Sequence, residues 1–115
     1  MRWQVTGGLA PRATSMVVQR DRTARVDDVR EVTLGAREFG RLRHRLAAAR
    51  FGSLRRRYAP ETIVLDGITE TVRHRGKAVS VSTGAQDVPR RLTRLLRLLG
   101  RIHDRHDAPP ETNPR

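Results

Sequence analysis

Val88-Pro89-Arg90-Arg91-Leu92-Thr93-Arg94-Leu95-Leu96-Arg97-Leu98-Leu99-Gly100-Arg101-Ile102 is the stretch on which the fold turns. At about 100° per residue, Val88, Leu92, Leu95, Leu96, Leu99 and Ile102 fall within roughly 120° of arc. Arg90, Arg94, Arg97, Arg101 and Arg105 occupy roughly 80° on the far side. This is an amphipathic helix with one oily stripe to bury. Asp87 is a good N-cap and Pro89 is tolerated in a first turn, so the spacing predicts a helix starting at Asp87-Val88-Pro89 and ending near His103.

Upstream, the period changes from helical to alternating. Trp3 and Val5 alternate up to Gly7-Gly8, Met16 and Val18 alternate up to Asp21-Arg22, and Ala24 and Val26 follow, which reads as three antiparallel strands. Gly35 then reads as the N-cap of a second helix, with Glu38 as the acidic half of a capping box. Phe39, Leu42, Leu46 and Ala49 form its apolar face, Gly40 weakens it, and Phe51-Gly52 ends it. A basic connector, Arg55-Arg56-Arg57, runs with Leu54 and Tyr58 to Pro60. Ile63 to Val72 and Val79 to Val81, joined by a turn at Arg75-Gly76, read as a hairpin.

Strands, a helix, more strands and a helix predict an α+β domain: an antiparallel sheet of four to five strands with two helices packed on one face. The expected core comprises Val5, Met16, Val18, Val26, Phe39, Leu42, Leu46, Phe51, Leu65, Ile68, Val72, Val79, Val81 and the leucine stripe with Ile102. The 115 residues suffice for one domain, placed at 1–106. The segment 107–115, with three prolines, is expected to be a disordered tail.

Composition removes several classes of chemistry. The chain has no cysteine, which eliminates disulfides, a thiolate nucleophile and Cys-ligated zinc. No phosphate-cradling Gly-rich loop, H-E-x-x-H or G-x-S-x-G occurs. We therefore expect no enzyme activity, no catalytic residues and no cofactor. His103-Asp104-Arg105-His106, with Asp107, could offer metal ligands, but it lies where the helix should fray, so no metal is expected. His44 and His74 read as solvent-exposed. No apolar run approaches the roughly 20 residues of a membrane span, so a soluble, cytoplasmic protein is expected, without a membrane partner.

Lys and Arg number 24 against 12 Asp and Glu, for a net charge of +12, and all but Lys77 of these cations are Arg. Such a charge has meaning only through its placement. The face Arg90, Arg94, Arg97 and Arg101 could neutralise phosphates of nucleic acid, although aromatic residues make up only 3% and offer few stacking platforms. The opposing reading is a solvated helix face. Gly7-Gly8-Leu9-Ala10-Pro11 is the other candidate site. Two glycines free the backbone and Pro11 stiffens the exit, so the segment can present Leu9 on a rigid protrusion, where a plain turn is the alternative.

Several of these segments share a layout with a known family. Val5-Thr6-Gly7-Gly8-Leu9-Ala10, the helix from Leu34 to Phe51 ending in Ala47-Ala48-Ala49-Arg50-Phe51, the Asp66 strand, Lys77-Ala78-Val79-Ser80-Val81 and Val88-Pro89-Arg90-Arg91-Leu92 resemble the emfourin family of protealysin-like metallopeptidase inhibitors. The likeness spans roughly residues 3 to 103. It implies an inhibitor that occludes the cleft of a thermolysin-like metallopeptidase without cofactor or covalent chemistry; a monomer is expected. With that partner class, a loop rigid before binding is expected to make the contact through Gly7, Gly8, Leu9, Ala10 and Pro11, with Leu9 as the apolar anchor and Tyr58 or Asp66 flanking it. Gly7, Gly8 and Ala10 match the family's Gly-Gly-aromatic-Ala-Gly, while Leu9 replaces the aromatic and Pro11 the last Gly. Ile68, Glu70 and Val72 stand where the family tends to carry aromatics, and the basic charge also departs from it.

Overall fold

Alternation along the strands places one set of side chains on a single sheet face, and the backbone pairing shows which set. The computed structural model describes residues 1–8, 14–62 and 67–107. Among these, seven strands and two helices form an α+β fold: β1 (Arg2–Gly7), β2 (Thr14–Val18), β3 (Thr23–Val26), β4 (Arg30–Thr33), α1 (Ala36–Ala49), β5 (Arg57–Tyr58), β6 (Ile68–His74), β7 (Lys77–Ser82) and α2 (Arg90–Asp107). The sheet order is β4-β3-β2-β1-β6-β7-β5, antiparallel throughout except for the parallel β5–β7 pair.

In this register Trp3 stands opposite Met16 and Val72, Met16 opposite Val26, and Val72 opposite Val79. All five are buried, and they share one core with Leu42 of α1 and Leu92, Leu95, Leu99 and Ile102 of α2. The other sheet face is polar, with Gln4, Ser15, Thr71 and Ser80 in one cross-strand row. Fully burying a large apolar side chain contributes about 1.5–3 kcal/mol, so the stripe of α2 against the sheet is the main source of stability.

The α+β class agrees with the sequence reading, and the details differ. The sheet is mixed and has seven strands rather than four to five antiparallel ones. β4 has one apolar residue and β5 only two residues, so neither produces an alternation that can be read; both are held by backbone pairing to neighbours. Asp87 does not cap α2. It sits in the left-handed region at φ 61°, and the Pro89 carbonyl accepts the first helical N–H groups, from Leu92 and Thr93. The helix then runs through Asp107, beyond the expected end near His103. Gly35 is the N-cap of α1, whereas Arg50, at φ 52°, forms its left-handed end in place of Phe51-Gly52.

Ile68 is 45% exposed and leaves the core list. Residues outside the expected core are buried instead: Trp3, Leu34, Leu54, Tyr58 and Leu98. Leu65 lies outside the described residues.

Candidate functional site

The first candidate is the end of the sheet where β1 stops. Gly7 and Gly8 have φ values of 92° and 78°, a region that L side chains rarely enter. A Cβ on Gly7 would lie 2.4 Å from the Gly67 carbonyl oxygen, so this residue must be Gly for a packing reason as well. The Gly8 N–H donates to the same carbonyl at 3.1 Å. Next to it, the Ile68 N–H donates to Thr83 Oγ1 at 2.8 Å, the Thr83 N–H donates to the Ile68 carbonyl at 2.9 Å, and Gly84 turns away at φ 84°. The Gly-Gly step is thus fastened to β6, and β6 to the residue after β7, while the Ile68 side chain faces solvent.

A second exposed apolar residue shares this end. Val29, 85% exposed, lies in the turn between β3 and β4, and the register places that turn level with the start of β2. Among the described residues, Ile68 and Val29 are the large hydrophobics left in solvent. Gly7, Gly8, Gly67, Ile68, Thr83 and Gly84 carry no ionisable side chain, so what these six offer is contact rather than proton transfer.

The sequence-derived contact set divides against this geometry. Gly7 and Gly8 form the base just described. Leu9, Ala10, Pro11 and Asp66 lie outside the described residues. Tyr58 is buried at 4% exposure, with its hydroxyl accepting the Arg55 N–H at 3.1 Å and the Arg55 guanidinium 5.5 Å from its ring centre. Ile68 was missed because its alternation with Val72 reads as core, although its position at the first residue of β6 leaves it beyond the helices' cover.

The second region is the C-terminal end of α2, expected to fray and instead tied down. His103 is buried, its Nε2 is 3.0 Å from Asp27 Oδ1, and its ring centre lies 5.5 Å from that of Trp3. Asp27 Oδ1 also accepts the Ser15 N–H at 2.9 Å. Burial acts to raise the Asp27 pKa, but the Ser15 N–H, the bond to and charge of His103, and a hydrogen bond with Asp107 outweigh it, holding the carboxyl below its ordinary value. Glu38, read as half of a capping box, reaches α2 instead, with Arg105 Nη1 at 2.8 Å from Oε2 and His106 Nε2 at 2.9 Å from Oε1. Arg30 donates to the His106 carbonyl at 2.8 Å.

Asp27, His103 and Asp107 offer donor atoms within 4.8 Å of one another, a different trio from the His103–His106 pair suggested by spacing. Their bonds are those of a tie between the β3–β4 turn and α2. His44 is exposed, as expected, whereas His74 is half-buried against Phe51 at 5.6 Å between ring centres. Burial lowers the His74 pKa, and the positive charges of the N-terminal amine and Arg75 push it the same way.

The third region is cationic. Arg90, Arg94, Arg97 and Arg101 are exposed along α2. Arg91 is used structurally: its Nε donates to the Ala49 carbonyl at 2.8 Å and its Nη2 to Ser53 Oγ at 3.2 Å, closing the C-terminal end of α1. Comparison with models of known protein families gave no match, and comparison with curated proteins gave none.

Proposed function

We propose that the protein is a non-covalent inhibitor of a thermolysin-like metallopeptidase, and that the sheet end bearing Gly7, Gly8 and Ile68 is its contact face. One observation carries the reading: the Gly7-Gly8 step is fastened to the Gly67 carbonyl beside an exposed Ile68. A segment held in shape before binding loses little conformational entropy on entering a cleft, so modest contact area can give tight inhibition. The resemblance to the emfourin family supplies the partner class. In this reading Leu9, and beside it Ala10 and Pro11, enter the cleft, with Leu9 as the apolar anchor and Asp66 alongside. The protein acts as a cytoplasmic monomer.

Casein hydrolysis by a thermolysin-like metallopeptidase, titrated with the protein, tests the proposal. Activity is expected to fall in proportion to inhibitor added, reaching its floor near one equivalent. Leu9→Asp and Ile68→Asp place an uncompensated charge in an apolar contact and are expected to weaken inhibition at least about tenfold. Undiminished inhibition by both variants assigns the contact elsewhere. Full peptidase activity in an excess of the native protein, across several enzymes of the class, refutes the reading.

A further inference from the structure

The packing of the two helices leaves a groove of about 670 Å³ between them. Arg37, Arg41 and Arg45 line its α1 side, and Arg101 and Arg105 its α2 side, with Glu38 as the acidic residue among them. Glu38 is already neutralised, because Arg105 and His106 occupy its two oxygens. Arg37, Arg41, Arg45 and Arg101 make no ion pair among the described residues.

Like charges four residues apart on a helix repel, and Arg37, Arg41 and Arg45 stack that repulsion twice on one face. An anion in the groove would turn it into attraction. Arg37 and Arg45 are eight residues apart, so their positions are separated by about 12 Å at 1.5 Å rise per residue, too far for one phosphate to bridge. A chain of phosphates with a charge at each helical turn fits this spacing. Gly40, whose added Cβ would meet nothing within 4 Å, leaves the α1 wall open at its middle. No Phe, Tyr or Trp lines the groove and His44 is its one aromatic ring, so bases would find little stacking surface there.

We propose that this inter-helix groove binds the phosphodiester backbone of single-stranded nucleic acid without reading its sequence. The site differs from the exposed row Arg90, Arg94 and Arg97, none of which lines this groove. It is independent of the inhibitor reading, which concerns the sheet end.

Fluorescence anisotropy of a labelled 12-nucleotide single strand, at a series of salt concentrations, tests it. The native protein is expected to bind, with log K falling against log salt at a slope near −0.7 per phosphate neutralised, or about −3 for four to five contacts. The triple variant R37Q/R41Q/R45Q is expected to bind at least about tenfold more weakly and to lose about 2 from that slope. R2Q/R57Q/R73Q makes the same change in net charge on the exposed polar sheet face and is expected to stay within about threefold of native affinity. A thermal midpoint is recorded for each variant; five of these arginines are exposed and Arg45 is half-buried without an ion pair among the described residues, so the fold is expected to persist. Equal losses in the two triple variants, or no binding by the native protein, overturn the groove. Displacement of the strand by inorganic polyphosphate at a lower phosphate concentration than by unlabelled strand overturns the choice of ligand.

Discussion

Gly7 and Gly8 look interchangeable in the sequence and are not equivalent in the fold. Both occupy positive φ, but only Gly7 faces a backbone carbonyl at 2.4 Å from where its Cβ would stand; at Gly8 the nearest atom is the Ile68 side chain at 3.4 Å. Gly7→Ala is therefore expected to destabilise by at least about 2 kcal/mol, and Gly8→Ala by about 1–2 kcal/mol from the backbone alone. Urea unfolding of the two variants measures the difference, and equal losses would contradict the close approach. Asp27 supports a prediction about acid. Its folded pKa lies below the ordinary 3.8, so its contribution is present above that value and is lost as pH falls through the lower folded pKa. Asn tolerates the φ of 53° at this position. Asp27→Asn is expected to cost about 1–2 kcal/mol at pH 7, with the gap between native and variant stabilities narrowing as pH falls below 3.8. A gap of constant size across that range would show that the charge does not matter.

The elements divide into those that their own residues announce and those that their neighbours impose. α2 was legible because its apolar stripe persists over several turns, and β1, β2, β3, β6 and β7 because alternation or a Gly-bearing turn marks them. β4 and β5 were not, since Arg30-Glu31-Val32-Thr33 and Arg57-Tyr58 become strands only through backbone pairing with β3 and β7. The last turn of α2 was misjudged for a similar reason. His103 and Arg105-His106 look like a fraying end until Asp27 and Glu38, both more than 60 residues away in sequence, supply their partners. The candidate site was half legible: the Gly-Gly step stood out, whereas Ile68 and the arginine groove depend on which faces the tertiary packing leaves uncovered. Gly40 in α1 is the element's weak point. Its surroundings are open, so Gly40→Ala is expected to stabilise by about 0.5–1 kcal/mol, seen as a rise in thermal midpoint of several degrees.

At the scale of the whole molecule, the two helices cover one sheet face and leave three surfaces with different chemistry. The uncovered sheet face is polar, the inter-helix groove is cationic, and the sheet end at Gly7, Gly8, Val29 and Ile68 is apolar and stiff. Among the described residues, no helix is long and apolar enough to cross a membrane. Among the described residues, only the sheet end combines a hydrogen-bonded backbone step with exposed apolar side chains, the combination that the proposed entry into a peptidase cleft draws on. The measurement that bears on this most directly is a chemical-shift map of the labelled protein during titration with a thermolysin-like metallopeptidase. The account predicts that the amides of Gly7, Gly8, Ile68 and Thr83 shift or broaden first, with those of Arg37, Arg41 and Arg101 unchanged. Perturbations confined to the inter-helix groove, or none at an excess of peptidase, would contradict it.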